Sequence, residues 1–448
     1  MIISRSTDGG TRLSLSSKTD RGAQLRLRFR EVGSAEVRRR AAIFLLLGLA
    51  IREVFSFWTG HPSDFELWVR LGYAMTHGGD PYGVLPAAPG LSFANVFGYL
   101  NAPTIAYLPL WPLVTGLVYV LYSALPWSNR FLYYFLLKQP IIFGDVGLAF
   151  LMFSFVYSRR PETNALWVLV FWLFSPYTII ISGIWGMFDS IAIAFVFLSI
   201  MSTGEGKVAL WEGLAIFAKT IPIIYALPVA VKRLRDLWAP VLSVSFAALL
   251  TLATLAIMRW PFSVATTTIE STAFKGNWSM SAWDIAYYLN YVGLLPNPSP
   301  RTYETVGLLW VPAIIVFTWI AIRKFRGQQD QGLVQSLLVC TLVFLIFKAR
   351  ITEQYGLYLF ALAGVDVAIW HPERKFLLLV TVGIAMIYLL VNNFFLVRFL
   401  SPIYPAFVDF ESSMNATIGP IRLAVMSISG TAFTCLNIKY LAEVLRRP

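Results

Sequence analysis

The stretch Ala41-Ala42-Ile43-Phe44-Leu45-Leu46-Leu47-Gly48-Leu49-Ala50-Ile51-Arg52-Glu53-Val54-Phe55-Ser56-Phe57-Trp58 is an apolar run that begins directly after a strongly basic segment. As a helix rising 1.5 Å per residue it spans most of a hydrocarbon layer ~30 Å thick. Residues 1–40 carry ten Lys or Arg, among them Arg38, Arg39 and Arg40. Met1–Leu15 lacks the apolar region of a cleaved signal, so the expectation is a retained basic tail. The positive-inside bias places that tail, and the N-terminus, in the cytosol.

Working outward, the same pattern recurs. Apolar runs fall at roughly 41–58, 104–125, 131–157, 165–181, 188–201, 209–231, 240–258, 303–323, 333–347, 355–370, 376–397 and 421–441. The expectation is an all-α polytopic membrane protein of about 12 transmembrane helices. Residues 1–40 are its tail and 41–448 a single transmembrane domain. Composition agrees: of 448 residues, 57% are hydrophobic and only 13% charged, against roughly a quarter charged in soluble proteins. The net charge of +12 sits in short clusters between apolar runs, which is a topology signal and excludes a nucleic-acid face. Cys340 and Cys435 both lie in apolar runs, so no disulfide framework or cysteine metal site is expected.

Twelve crossings bring the C-terminus, with Arg446 and Arg447, back to the cytosol. The same count puts Lys232-Arg233-Leu234-Arg235, Arg323-Lys324-Phe325-Arg326 and Arg374-Lys375 on that face. Arg159-Arg160 alone falls outside, so count and charge disagree within 131–201. Three outer segments remain, 59–103, 259–302 and 398–420, holding the sequons Asn277-Trp278-Ser279 and Asn415-Ala416-Thr417. The two halves show no repeat, which counts against inverted-repeat transporters.

The first outer segment reads His61-Pro62-Ser63-Asp64-Phe65-Glu66-Leu67-Trp68, then Gly78-Gly79-Asp80-Pro81-Tyr82-Gly83. Asp64 lies just past the first span, at the water–lipid boundary where a soluble hydroxyl would meet a lipid headgroup. The residues after it form an apolar stripe of helical spacing, which predicts an amphipathic helix on the membrane with Asp64 near its N-terminus. A helix N-cap is the structural alternative for Asp64. Ionisable residues expected within spans are Lys138, Asp145, Asp189, Lys219, Lys348, Arg350 and Glu353; each is costly in hydrocarbon and calls for a polar cavity or a partner. Lys138 and Asp145, seven apart on one helical face, could pair with each other. Lys219 precedes Pro222, whose missing N–H opens the backbone. The run Phe347-Lys348-Ala349-Arg350-Ile351-Thr352-Glu353-Gln354-Tyr355 puts two cations at an outer end, against the positive-inside bias, as a phosphate pocket would. The three histidines lack zinc spacing, and no nucleotide loop or nucleophile elbow occurs.

Taken in order, Asp64-x-Glu66, Gly79-Asp80-Pro81-Tyr82, Tyr107-Leu108-Pro109-Leu110, Lys138 with Asp145, Ser175-Pro176, Trp185-Gly186-Met187-Phe188-Asp189-Ser190, Lys219-x-x-Pro222 and Lys348–Tyr355 resemble the GT-C superfamily of polyprenyl-phosphate-sugar-dependent glycosyltransferases. Within it the chain is most similar to the catalytic subunit that adds the first mannose to glycosylphosphatidylinositol, and to its prokaryotic relatives. The resemblance spans about 60–360. It implies a catalytic aspartate in the first outer loop, which falls on Asp64; the eukaryotic Asp-x-Asp is here Asp64-Phe65-Glu66. The family's Asn-Lys-Val-x-Thr-x-Gln-Tyr run falls on 347–355, with Phe347 in place of the Asn and Lys348 at the donor phosphate.

Together these readings imply an inverting transfer of a sugar, mannose by the resemblance, from polyprenyl (dolichyl) phosphate to a lipid-linked or glycan acceptor at the outer face. Asp64 is the general base. Glu66 assists or orients, the two carboxylates raising one another's pKa. Lys348 and Arg350, with Lys219, meet the charge on the leaving phosphate. Glu353, Gln354, Tyr355, Lys138, Asp189, Asp80 and Tyr82 complete the expected substrate site. No metal or cofactor is expected, and any small membrane subunit is unknown. The membrane is the cell membrane in a prokaryote or the endoplasmic reticulum in a eukaryote, with both termini cytosolic. The rival class is a transporter or flippase for an anionic lipid or solute, which accounts for the intramembrane charges but not for the Asp64 loop.

Overall fold

The computed structural model describes residues 35–93, 105, 107–233, 238–264, 266, 279–295 and 308–446. These form helices joined by loops, with no β-strand element among the described residues. Most of the basic tail, Arg447 and the Asn277-Trp278 part of the first sequon lie outside them. Among the described residues five helices are long and apolar enough to cross a membrane, six if the bent pair Glu162–Phe174 and Pro176–Trp185 is one span. The chain is therefore an all-α integral membrane protein.

In chain order the helices are α1 (Ala35–Ser56), α2 (Asp64–Thr76), α3 (Leu110–Ser123), α4 (Arg130–Tyr157), α5 (Glu162–Phe174), α6 (Pro176–Trp185), α7 (Asp189–Met201), α8 (Glu205–Ala218) and α9 (Ile223–Arg233). They continue with α10 (Trp238–Met258), α11 (Asp284–Tyr291), α12 (Trp310–Lys324), α13 (Asp330–Phe347), α14 (Gly356–Ile369), α15 (Lys375–Asn392) and α16 (Phe407–Arg446). Pro176 sets the break between α5 and α6: it forces Ser175 out of the helical region (φ −63, ψ 122) and bends the pair by 47°. The last turn of α6 widens to π geometry and ends on Gly186 at φ 90, a left-handed position that glycine takes without strain.

One buried ion pair ties the first half together. Arg52 of α1 and Asp145 of α4, both fully buried, meet at 2.6 Å. Asp145 also accepts from Trp172 of α5 (3.2 Å) and Ser190 of α7 (2.6 Å). Remaining Arg52 N–H groups bond the carbonyls of Gly48 and Leu173. Buried charge is tolerated when every member is satisfied, as here. Asp145 therefore does not pair with Lys138, whose ammonium instead binds the carbonyls of Thr59, Gly183 and Ile184 and the Thr59 hydroxyl.

Contacts at the helix ends group the elements by the end of the bundle they share. Lys138 near the start of α4 binds Thr59 just beyond α1, and Tyr134 donates to the Leu91 carbonyl of the first loop. The helix α3, which begins at Leu110 and packs its Gly116 on Met75 of α2, thus starts and finishes at one end of the bundle. The run 104–125 gives a helix of 14 residues, one of the shorter apolar helices among the described residues. The run 209–231 breaks at Lys219 into α8 and α9, a hairpin whose tip returns to the same end. Arg159 at the foot of α4 pairs with Asp330 of α13 (2.5 Å), and Arg160 donates to the Ile369 carbonyl of α14. Arg159-Arg160 thus joins Arg323, Lys324, Arg374 and Lys375 at one end.

Candidate active site

At the other end lies a cavity of about 610 Å³. Its walls come from the loop after α1, the α8–α9 tip, the loop between α13 and α14, and the ends of α15 and α16.

Asp64 is the first residue of α2 and lines the cavity. Its Oδ2 accepts from the Trp185 indole N–H at 2.9 Å, while Oδ1 has no hydrogen bond among the described residues. It is not the helix cap. His61 Nδ1 accepts the backbone N–H groups of Ser63 and Asp64, each at 3.2 Å, and the His61 carbonyl accepts that of Phe65 at 3.0 Å, so His61 satisfies three donors at this end. With Nδ1 occupied as an acceptor, the 3.5 Å approach of His61 to Asp64 is no ion pair. Burial and then the nearby Arg398 hold the imidazole pKa well below its usual range, so His61 is neutral. Its ring stacks on Trp185 at 4.6 Å. Lys138 clamps the carbonyls of Gly183 and Ile184 that precede Trp185, so it positions the site without lining it.

Burial raises the Asp64 pKa; the Trp185 hydrogen bond and the charges of Arg398, Lys219 and Arg350 act the other way. Glu66 has no part in this. Residues two apart on a helix point roughly 200° from each other, so Glu66 faces away. It pairs with Arg70 at 2.7 Å and accepts the Phe93 N–H at 3.0 Å, fully buried. The expected mutual perturbation of the two carboxylates is absent for this reason, and the helix α2 is buried in the protein, not laid on its surface.

Lys219 ends α8 in extended conformation (φ −154, ψ 142). Its ammonium meets Asp189 at 2.6 Å and is caged by the rings of Tyr107, Phe188 and Tyr355 at 5.1–5.8 Å. Lys219 lines the cavity and Asp189 stands behind it. The loop 348–355 is held by Ile351, which exchanges bonds with Ser279 Oγ and the Met280 N–H, and by the Tyr177 hydroxyl on the Glu353 carbonyl. It brings Lys348, Arg350, Glu353, Gln354 and Tyr355 to the cavity wall. Burial and the neighbouring Arg350 push the Lys348 ammonium down to about 8. The Glu353 carboxylate accepts from Asn392 at 2.5 Å, while the Arg350 side chain makes no hydrogen bond or ion pair among the described residues.

Asp80 and Tyr82 stay apart from this group. Asp80 caps its own turn through the Tyr82 N–H at 2.9 Å, and Tyr82 packs on Trp260. Residues that sequence reasoning passed over are His61, dismissed with the zinc question, Arg398, Glu411 and Asn415 of the third outer segment, and Arg422 at the start of the last apolar run. Arg398 carried the signal used for Lys348 and Arg350, a cation at an outer end. Asn415 of the second sequon sits within α16, its amide oxygen taken by Arg422 at 2.9 Å. Among the described residues no three His, Cys, Asp or Glu side chains gather as a metal site would require.

No known family model matches the chain, and no curated protein matches it. Among solved structures it is similar to ArnT from Cupriavidus metallidurans, crystallised bound to undecaprenyl phosphate. The TM-score is 0.49 and the identity 13%, over 90% of this chain and 77% of that one.

Proposed function

We propose that the chain is an inverting glycosyltransferase that moves a sugar, mannose by the motif resemblance, from a polyprenyl phosphate to a lipid-linked or glycan acceptor. The observation that carries this reading is one cavity in which the free oxygen of a fixed, part-buried carboxylate, Asp64, faces Lys219, Lys348 and Arg350. A base and a phosphate-sized cationic group are the two things such a transfer needs. The acceptor hydroxyl gives its proton to Asp64 as its oxygen attacks the anomeric carbon. The bond from that carbon to the phosphate oxygen breaks, its electron pair stays on the phosphate, and the three cations meet the new charge. Attack opposite the leaving group inverts the anomeric centre.

The end that holds the cavity is the outer face in this reading, because the basic residues collect at the opposite end. The twelve expected crossings are then redrawn, with the α8–α9 hairpin as two passes and α3 as none. The test is purified protein in nanodiscs with polyprenyl-phosphate mannose and candidate acceptors, without any gradient. Product of inverted configuration, lost in Asp64→Asn, is expected. Movement of lipid between leaflets with no glycoside formed would establish the transporter reading instead.

A further inference from the structure

A second polar group lines the same cavity, built by elements outside the motif resemblance. Arg398 follows α15, and Glu411, Asn415 and Arg422 come from α16. Arg398 and Glu411 pair at 3.0 Å, each 18% exposed. Arg422 donates to Asn415 Oδ1 at 2.9 Å and to the Asn392 carbonyl and Oδ1 at 2.7 and 3.0 Å. Asn392 donates in turn to Glu353. Two guanidinium groups thus face two carboxylates, with amides between. An anion at Arg398 would lie against the negative charge of Glu411. A ring hydroxyl meets no such repulsion, since it is uncharged and can donate to a carboxylate or amide oxygen and accept from a guanidinium at once. Gln354, 6% exposed on the same wall, has an Oε1 with no partner among the described residues and awaits a donor.

The turn that carries Arg398 is strained in a way that points to the site. Phe394, Phe395 and Leu396 are non-glycine residues at φ 46, 53 and 75, a conformation that persists only where surroundings over-determine it. The turn's Phe399 is buried against His61 and Trp185, and its carbonyl accepts the Gly60 N–H at 2.9 Å. One turn therefore buttresses the Asp64 loop and delivers Arg398 beside it.

We propose that Arg398, Glu411, Asn415 and Arg422 form the acceptor subsite, and that it takes an uncharged polyhydroxylated ring, a sugar borne on a lipid or free. The proposal rests on the transferase reading but is tested by binding alone. Octyl and methyl glycosides of mannose, glucose and galactose, octyl phosphate, and undecaprenyl phosphate are titrated against the full chain in nanodiscs. Glu411→Gln and Asn415→Ala each weaken glycoside binding about tenfold or more, as loss of a charge-assisted or neutral recognition bond in a network does. Both leave undecaprenyl-phosphate affinity within about twofold, and Arg350→Ala does the reverse. Binding of octyl but not methyl glycosides assigns a lipid-borne ring; equal binding assigns the ring alone. The proposal is overturned if the parent binds no glycoside, if both variants bind as the parent does, or if octyl phosphate outcompetes every glycoside. Should Glu411→Gln fail to fold, Asn415→Ala, on the exposed side of its helix, decides. A parent that binds glycosides but not undecaprenyl phosphate sinks the donor reading and leaves a sugar site.

Discussion

Asp64→Asn separates chemistry from structure at a single atom. The helix is capped by His61, so the amide costs no capping, and the Trp185 bond to the side-chain oxygen can persist. Folding and donor binding should survive while kcat drops by roughly a hundredfold or more, the contribution of a positioned base. Asp64→Glu should recover little, because an arm longer by about an ångström misplaces the base. The pH profile of kcat follows from the same surroundings. Burial raises the Asp64 pKa, so its base form is lost as pH falls through a value above that of an exposed aspartate, and the acid limb lies correspondingly high. Trp185→Phe deletes a hydrogen bond that favours the charged form, which should move that limb to still higher pH. On the alkaline side Lys348, pushed down to about 8, loses its charge, and activity should fall there. Lys348→Arg should remove the alkaline limb, since a guanidinium stays charged; an unchanged limb would take Lys348 out of the phosphate site.

Two broken elements deliver these side chains. An unbroken helix through residues 209–231 would have spent Lys219 on its own hydrogen-bonded wall; ending α8 there turns the ammonium into the cavity. At the end of α6, Gly186 at φ 90 reverses the chain so that Trp185 reaches Asp64. A Cβ on Gly186 would sit 2.8 Å from Phe65 Cδ2. Gly186→Ala should therefore destabilise the fold by about 1–2 kcal/mol from backbone conformation alone, with a larger proportional loss of kcat because Phe65 adjoins Asp64. Thermal unfolding and turnover measured on one preparation would show it. A variant with parental kcat would mean that the α6 turn does not set the base.

Across the whole molecule, the two ends carry different chemistry. The cavity end holds the mixed carboxylate and cation wall, and the opposite end holds Arg159, Arg160, Arg323, Lys324, Arg374 and Lys375. In a Cys435→Ser background, Ser412→Cys should react with an impermeant maleimide from outside the cell and Thr163→Cys only after permeabilisation. The simple run count had put the Arg159 region outside, so reaction of Thr163→Cys in intact cells would restore that count and place the cavity on the wrong face.

The amino-acid sequence by itself determined that lipid is the solvent, that the fold is helical, and that Asp64, Lys219 and the 348–355 run carry charge where charge is expensive. Those features are local: each is set by one run's hydropathy or by one ionisable residue within it. The sequence did not determine which charges meet. The Arg52–Asp145 pair joins residues 93 apart, Lys138 serves carbonyls on two other elements, and helical geometry turns Glu66 away from the Asp64 it nearly adjoins. Nor did run length reveal that residues 209–231 break at Lys219 and turn back on themselves. Partner choice and helix direction depend on which faces pack, a property of the assembled bundle, and only the tertiary structure decided them.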